Sequence, residues 1–223
     1  MRKLMRLDPW LWIDDVSNKV HLGSTYGGWA VLPDRLNSNS IVLSVGIGTD
    51  ISFDLAMIER FGCRIHGYDP TPFSIAWLAE QSLPAKFVTH KVGLAAADGT
   101  IDLQPPACDG HVSFHTAYGA SNGTEGSISV PVRRLGSLLK ELGTSHCDLL
   151  KMDIEGAEYD VCEDIVAHGP RPSQLLVEFH HRLYGFSVVM TEATIKKLRS
   201  VGYRVFWISE TGREFGLALD RDR

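Results

Sequence analysis

The sequence has no Cys-x-x-Cys pair. Its four cysteines, Cys63, Cys108, Cys147 and Cys162, are scattered, which argues against a zinc knuckle and a disulfide framework and suits a reducing compartment. It also lacks a surplus of positive charge, with 22 Lys and Arg against 27 Asp and Glu. No basic field steers it toward phosphate backbones or anionic lipid, so nucleic acid and membrane are not expected partners, and a small or neutral substrate is. No apolar run reaches membrane-spanning length. Arg2, Lys3 and Arg6 stand near the start, but "LDPWLWIDDV" follows, and its acids break any apolar signal core. A soluble, cytoplasmic protein is the expectation.

What is present is enough apolar sequence for an ordinary core: 44% hydrophobic and 22% charged residues over 223 positions. One α/β domain over 1–223 is expected, with 1–30 as an N-terminal arm or lid. "IVLSV", Ile41 to Val45, is a continuous apolar run, as a parallel strand covered on both faces requires. A helix follows through "DISFDLAMIERFG", with Ile51, Leu55 and Ile58 at helical spacing and Gly62 at the stop. "CRIHGYDP", a helix from Phe73 to Gln81, and "KFVTHKVGL" repeat the unit. Later strands are read at "TIDLQ", "SISVPV", Cys147 to Met152 and Ser173 to His180, with "LGSLLKEL" and Gly156 to Ala167 as helices; Val161 and Ile165 face inward. Residues 105–126, rich in Gly, Ser, Thr and Ala, read as a long loop that either covers substrate or is simply mobile. After a helix near Thr191 to Ser200, "YRVFWIS" and "FGLAL" are too close for a crossover helix and must pair antiparallel. The expected fold is a doubly wound, seven-stranded, mostly parallel sheet closed by an antiparallel C-terminal hairpin.

In such sheets ligands bind beyond the carboxyl ends of the strands. "SVGIGTD" puts Gly46 and Gly48 in the first strand-to-helix turn. Asp69 ends the next strand about twenty residues on, where an acid grips ribose hydroxyls. Ile51 stands where a third glycine would be, and Asp50 places a carboxylate in the turn that would repel a diphosphate. A sulfonium nucleoside tolerates that acid, which either holds the cofactor's amino group or caps the helix. Tyr26 and Trp29 of "YGGW" either close over the cofactor or pack an apolar patch.

"IVLSVGIGTDISFD", "HGYDPTP", "DLLKMDIEGAEYDV" and "LLVEFHH", in that order, resemble the FkbM-type family of S-adenosylmethionine-dependent methyltransferases. The similarity covers roughly Tyr26 to Leu219. It implies a class I methyltransferase fold and O-methylation of a hydroxyl on a small molecule, sugar or natural product. Two positions depart from the pattern: Ser44 replaces an acid common in this class, and Asp50 replaces a glycine.

Methyl transfer to a hydroxyl needs alignment, exclusion of water and a group to take the proton. Asp153, closing the fourth strand, is the expected acceptor-side residue and also touches the cofactor; its alternative role is a helix N-cap. Glu155 is a second candidate, although the helix dipole would stabilise it there anyway. Glu158 is expected on the helix exterior. Lys151, in an apolar strand, needs a partner such as Asp153 or Glu155. Period two puts Glu178 and His180 on one face and His181 on the other, which makes His180 the expected base or substrate-positioning group. No metal is assigned, although Asp153, Glu178 and His180 could form a site for Mg²⁺ or Mn²⁺. The rival functions are an NAD-linked oxidoreductase and a protein that binds S-adenosylmethionine without catalysis.

Overall fold

The computed structural model describes residues 8–9, 11–15, 18–104, 126–183 and 185–220. Val20–Leu22 (β1) and Trp29–Val31 (β2) pair antiparallel as a short ribbon. Ile41–Val45 (β3), Ser52–Phe61 (α1), Arg64–Tyr68 (β4), Pro72–Ala79 (α2) and Phe87–His90 (β5) follow. Gly93–Leu94 (β6), Gly99–Leu103 (β7) and Ile128–Arg133 (β8) form a separate three-stranded sheet in the order β6-β8-β7. The chain then runs through Leu135–Glu141 (α3), Leu149–Met152 (β9), Glu158–His168 (α4), Gln174–Glu178 (β10), Val188–Ser200 (α5), Tyr203–Ile208 (β11) and Glu214–Leu219 (β12). The 105–126 loop of the sequence reading lies, apart from Gly126, outside the described residues. Among the described residues no helix is long and apolar enough to cross a membrane.

The main sheet has seven strands in the order β11-β12-β10-β9-β3-β4-β5. β12 alone runs against the rest, pairing antiparallel with both β10 and β11. This is the doubly wound, mostly parallel sheet expected from the alternation of apolar runs and helices. One face buries Leu43, Val45, Leu150, Met152 and Leu175 with the inner faces of α3, α4 and α5. The other buries Val42, Ile65, Leu149 and Leu176 with Phe53 and Met57 of α1 and with Trp29, Ala30 and Val31 of the ribbon. Each such side chain contributes roughly 1.5–3 kcal/mol relative to exposure.

The buried face of α1 differs from the expectation. Phe53, Asp54 and Met57 point inward, while Leu55 is 39% exposed. Phe53 and Met57 are four residues apart and lie one above the other on the helix, whereas Leu55 falls on nearly the opposite side. Choosing the face by apolar residues alone missed the carboxylate of Asp54, which goes inside. The helix stops as expected, with Gly62 at φ 67 and its N–H bonded to the Ile58 carbonyl.

Strand order reverses between β3 and β9: β4 and β5 continue on one side of β3, and the chain returns to its other side with β9. Val45 pairs with Met152 at this switch point. The turns that follow these two strands open the crevice where a ligand sits in this architecture.

Candidate functional site

The turn after β3 is shaped by contacts that only glycine permits. Gly46 has φ 75, and a Cβ on it would lie 1.6 Å from the carbonyl oxygen of Asp153. The first-strand turn therefore rests directly on the residue after β9. Gly48, at φ 56, faces open space, and a Cβ on it would find nothing within 4 Å. That opening is the cradle a ligand needs for close backbone approach.

Asp69 is buried behind the turn. Its Oδ2 accepts from the N–H of Ile47 (3.0 Å) and Gly48 (3.1 Å), and its Oδ1 from Thr71 N (2.9 Å) and Oγ1 (2.6 Å). The carboxylate expected to reach a ribose thus also fixes the shape of the glycine turn. Asp50 Oδ1 accepts from Ser52 N at 2.8 Å, and its Oδ2 accepts from Ser24 Oγ at 2.7 Å. Burial works against its ionisation, but the Ser52 and Ser24 bonds outweigh it and hold the carboxyl below its ordinary value. Asp50 therefore leads α1 in by an Asx-type turn and also fastens the Ser24–Gly27 loop. Tyr26, on that loop, is 95% exposed, whereas Trp29 is buried in the core.

Under the turn, Lys151 reaches across from β9, and its Nζ donates to the Gly46 carbonyl at 2.8 Å. The ammonium also stands 5.9 Å from the Trp29 ring centroid. The expected partner, Asp153 or Glu155, is replaced as hydrogen-bond acceptor by this carbonyl. Asp54, 2% exposed, is pushed up to about 6 by burial, against the opposing pull of the Lys151 charge, and among the described residues its Oδ1 has no hydrogen-bond partner.

The second half of the site is a cluster around His180, which is 3% exposed. Its Nδ1 lies 2.7 Å from Glu158 Oε1 and its Nε2 3.0 Å from Glu155 Oε2. Asp153 Oδ1 is 3.6 Å and Glu178 Oε1 3.9 Å from the same Nε2. Burial disfavours a charged ring, yet Glu158, Glu155 and Asp153 together raise the His180 pKa well above its ordinary value. Both nitrogens of such an imidazolium are donors, so neither accepts a proton. Bonded to Glu158 through Nδ1 and facing Glu155 through Nε2, the ring is fixed in orientation. Asp153, Glu155 and His180 offer donor atoms within 4.8 Å of one another. Glu178, in the sequence-derived metal set, instead pairs with Arg213 Nη2 at 3.2 Å.

Asp153 keeps its Oδ1 buried and without a hydrogen bond, while about a third of its side chain, 32%, is exposed. Burial first, and then the charges of Glu155 and Glu158, push its pKa up against Lys151 and His180. Glu178 is raised to about 8, by burial and then by Asp153. Glu155 reaches the cluster from a left-handed backbone, φ 52.

Glu158 corrects the sequence reading most sharply. Expected on the helix exterior, it is fully buried and accepts from Ile154 N (3.1 Å), Gly156 N (2.9 Å) and His180. The signal for this was its place in the first helical turn, from which a glutamate can reach back to N–H groups ahead of the helix. His181 points the other way, as period two requires, and meets Thr191 Oγ1 at 3.2 Å.

Carboxylates thus follow both strands of the switch point: Asp50 and Asp69 bond the segments around the glycine turn, and Asp153 and Glu155 come after β9. A diphosphate would meet like charge here, whereas a ligand carrying a sulfonium and an ammonium meets opposite charge.

The model of the Methyltransferase FkbM domain matches residues 13–205. The human "Probable methyltransferase-like protein 24" is 28% identical over 201 residues, covering 82% of this chain and 48% of that protein. Its rat counterpart is 28% identical over 173 residues, covering 73% and 41%. The chain therefore spans about half the length of the curated relatives it matches. Of solved structures, the methyltransferase FkbM from Methylobacillus flagellatus KT superposes with a TM-score of 0.48 at 14% identity, over 83% of this chain and 44% of that one. The family match spans most of the sequence and takes in the glycine turn, Asp69, Asp153 and His180, and the chain belongs to the FkbM family of S-adenosylmethionine-dependent methyltransferases.

Proposed function

We propose that the chain is an O-methyltransferase acting on a hydroxyl of a small molecule, such as a sugar or natural product, with Asp153 as the acceptor-side catalytic residue. The observation that carries this reading is the contact between Gly46 and Asp153. It packs the glycine turn against the backbone carbonyl of Asp153, the residue whose carboxylate would receive the acceptor's proton.

The cofactor's place in this reading is above Gly46 and Gly48, with Asp69 behind the turn for the ribose and Asp50 beside it for the amino group. Tyr26, standing in solvent, is left out of these contacts. S-adenosylmethionine supplies an electrophilic methyl group on positively charged sulfur. When bound, it would give that methyl to the hydroxyl oxygen and keep the carbon–sulfur electron pair, while Asp153 takes the hydroxyl proton. A carboxylate with a raised pKa is a stronger base for that transfer near neutral pH. His180 Nε2 stands 3.0 Å from Glu155 and 3.6 Å from Asp153, and the ring's positive charge keeps several buried carboxylates compatible.

Family membership sets aside the nicotinamide-linked alternative. The test is incubation with methyl-labelled S-adenosylmethionine and a panel of hydroxylated acceptors, with Asp153→Asn as the control. Label transferred by the native chain and lost in the variant supports the reading. Tight cofactor binding with no transfer to any acceptor favours a binding module instead.

A further inference from the structure

We propose that Glu158 is the positioning residue of the acceptor site, a single carboxylate that sets the turn carrying Asp153 and Glu155 and aims the His180 ring at both. This rests on the reading of Asp153 given above. Glu158 is fully buried, so each bond it makes is undiluted by water. Its Oε1 accepts from Ile154 N at 3.1 Å and from His180 Nδ1 at 2.7 Å, and its Oε2 accepts from Gly156 N at 2.9 Å.

The two backbone donors flank Glu155, the residue with φ 52. A non-glycine residue in that region costs roughly 1–2 kcal/mol and persists only where its surroundings hold it. Glu158 holds it from both sides. With Nδ1 bound to Glu158, the ring's Nε2 must point away from α4, toward Glu155 at 3.0 Å and Asp153 at 3.6 Å. The charged groups around the ring are Asp153 and Glu155 after β9, Glu158 on α4 and Glu178 at the end of β10, with Arg213 before β12 paired to Glu178. Removing the Glu158 charge takes away the carboxylate that anchors Nδ1 and frees the ring to turn. Glu155 then loses its ring donor, and Asp153 the cation that stands 3.6 Å from its Oδ1.

The experiment uses the full chain with nitrogen-15-labelled histidine, loaded with S-adenosylhomocysteine, at about pH 7.5. His180 is assigned by its absence in His180→Asn. The native protein should show His180 with both ring nitrogens protonated. Glu158→Gln should lose that pattern while S-adenosylhomocysteine affinity stays within about threefold. A purely structural Glu158 would lower the melting temperature and leave the ring signature intact. A neutral His180 in the native protein, or an unchanged imidazolium in Glu158→Gln, overturns the inference. Should that variant fail to fold, amide exchange in the native chain decides. Slow exchange at Ile154 and Gly156 supports the role, and fast exchange at both overturns it. Full methyl transfer by Asp153→Asn overturns the underlying reading and leaves the ring spectrum untouched, so the two failures are told apart.

Discussion

Lys151 Nζ donates to the carbonyl oxygen of Gly46 at 2.8 Å, so the fourth strand of the doubly wound unit holds the glycine turn of the first. The ammonium also offsets the buried charge of Asp54. Lys151→Met removes both effects and leaves the carboxylate uncompensated, a loss of about 3 kcal/mol or more. The melting temperature should fall by roughly 6–12 °C in calorimetry, and S-adenosylmethionine should bind at least about tenfold more weakly. A variant that melts and binds like the native chain removes Lys151 from this account.

Asp54 gives a pH dependence of stability whose sign follows from its burial. Its pKa rises from 3.8 when free to about 6 in the fold, so the folded chain binds the proton more tightly than the unfolded one. Stability from this group is greatest below the free value and is lost as pH climbs from about 4 to about 6. Above that range the penalty is on the order of 3 kcal/mol. Denaturant melts of Asp54→Asn should lack this slope and match or exceed the native stability near pH 7.5. A slope that survives the substitution assigns it to another group.

The two glycines of the turn should behave differently. Gly46→Ala drives a Cβ to 1.6 Å from the Asp153 carbonyl, so the turn must shift off β9. Loss of stable folding or of all cofactor binding is expected. Gly48→Ala meets nothing within 4 Å and keeps only the strain of φ 56, roughly 1–2 kcal/mol. Its fold should survive while S-adenosylmethionine affinity drops, because the new methyl projects into the cradle. Isothermal titration with thermal melts separates the two effects; equal losses of stability in both variants would contradict it.

For the acceptor side, Asp153→Asn should reduce methyl transfer by about 10²–10⁴-fold, the range for a lost general base. Cofactor affinity should change by less than about threefold. Glu155→Gln should fall between the two, since it supports Asp153 through His180. Single-turnover transfer of labelled methyl separates binding from chemistry.

The parts of this architecture readable in the sequence were those set by local pattern. The apolar runs of β3, β9 and β10 announced buried parallel strands, Gly46 and Gly48 announced the turn, and the close spacing of β11 and β12 forced the hairpin. The parts that were not readable depend on contacts between distant segments. Lys151 was expected beside an acid on its own strand end, yet its acceptor is a carbonyl 105 residues away. Glu158 was placed outside by helical position, because the bend at Glu155 that turns it inward is visible only in three dimensions. Asp54 hid among apolar neighbours on α1. In the small sheet β7 and β8 were readable as strands, but β6 was read as the end of a single strand through "KFVTHKVGL", which divides between β5 of the main sheet and β6 of the small one.

The proposed reaction requires a sulfonium donor across the Gly46–Gly48 turn with its methyl group directed at Asp153. A crystal structure with bound S-adenosylhomocysteine tests it most directly. The adenosine should lie over Gly48, with Asp69 at the ribose and the sulfur facing the Asp153 carboxylate across an open acceptor space. A nucleoside bound elsewhere, or a sulfur turned away from Asp153, would contradict it.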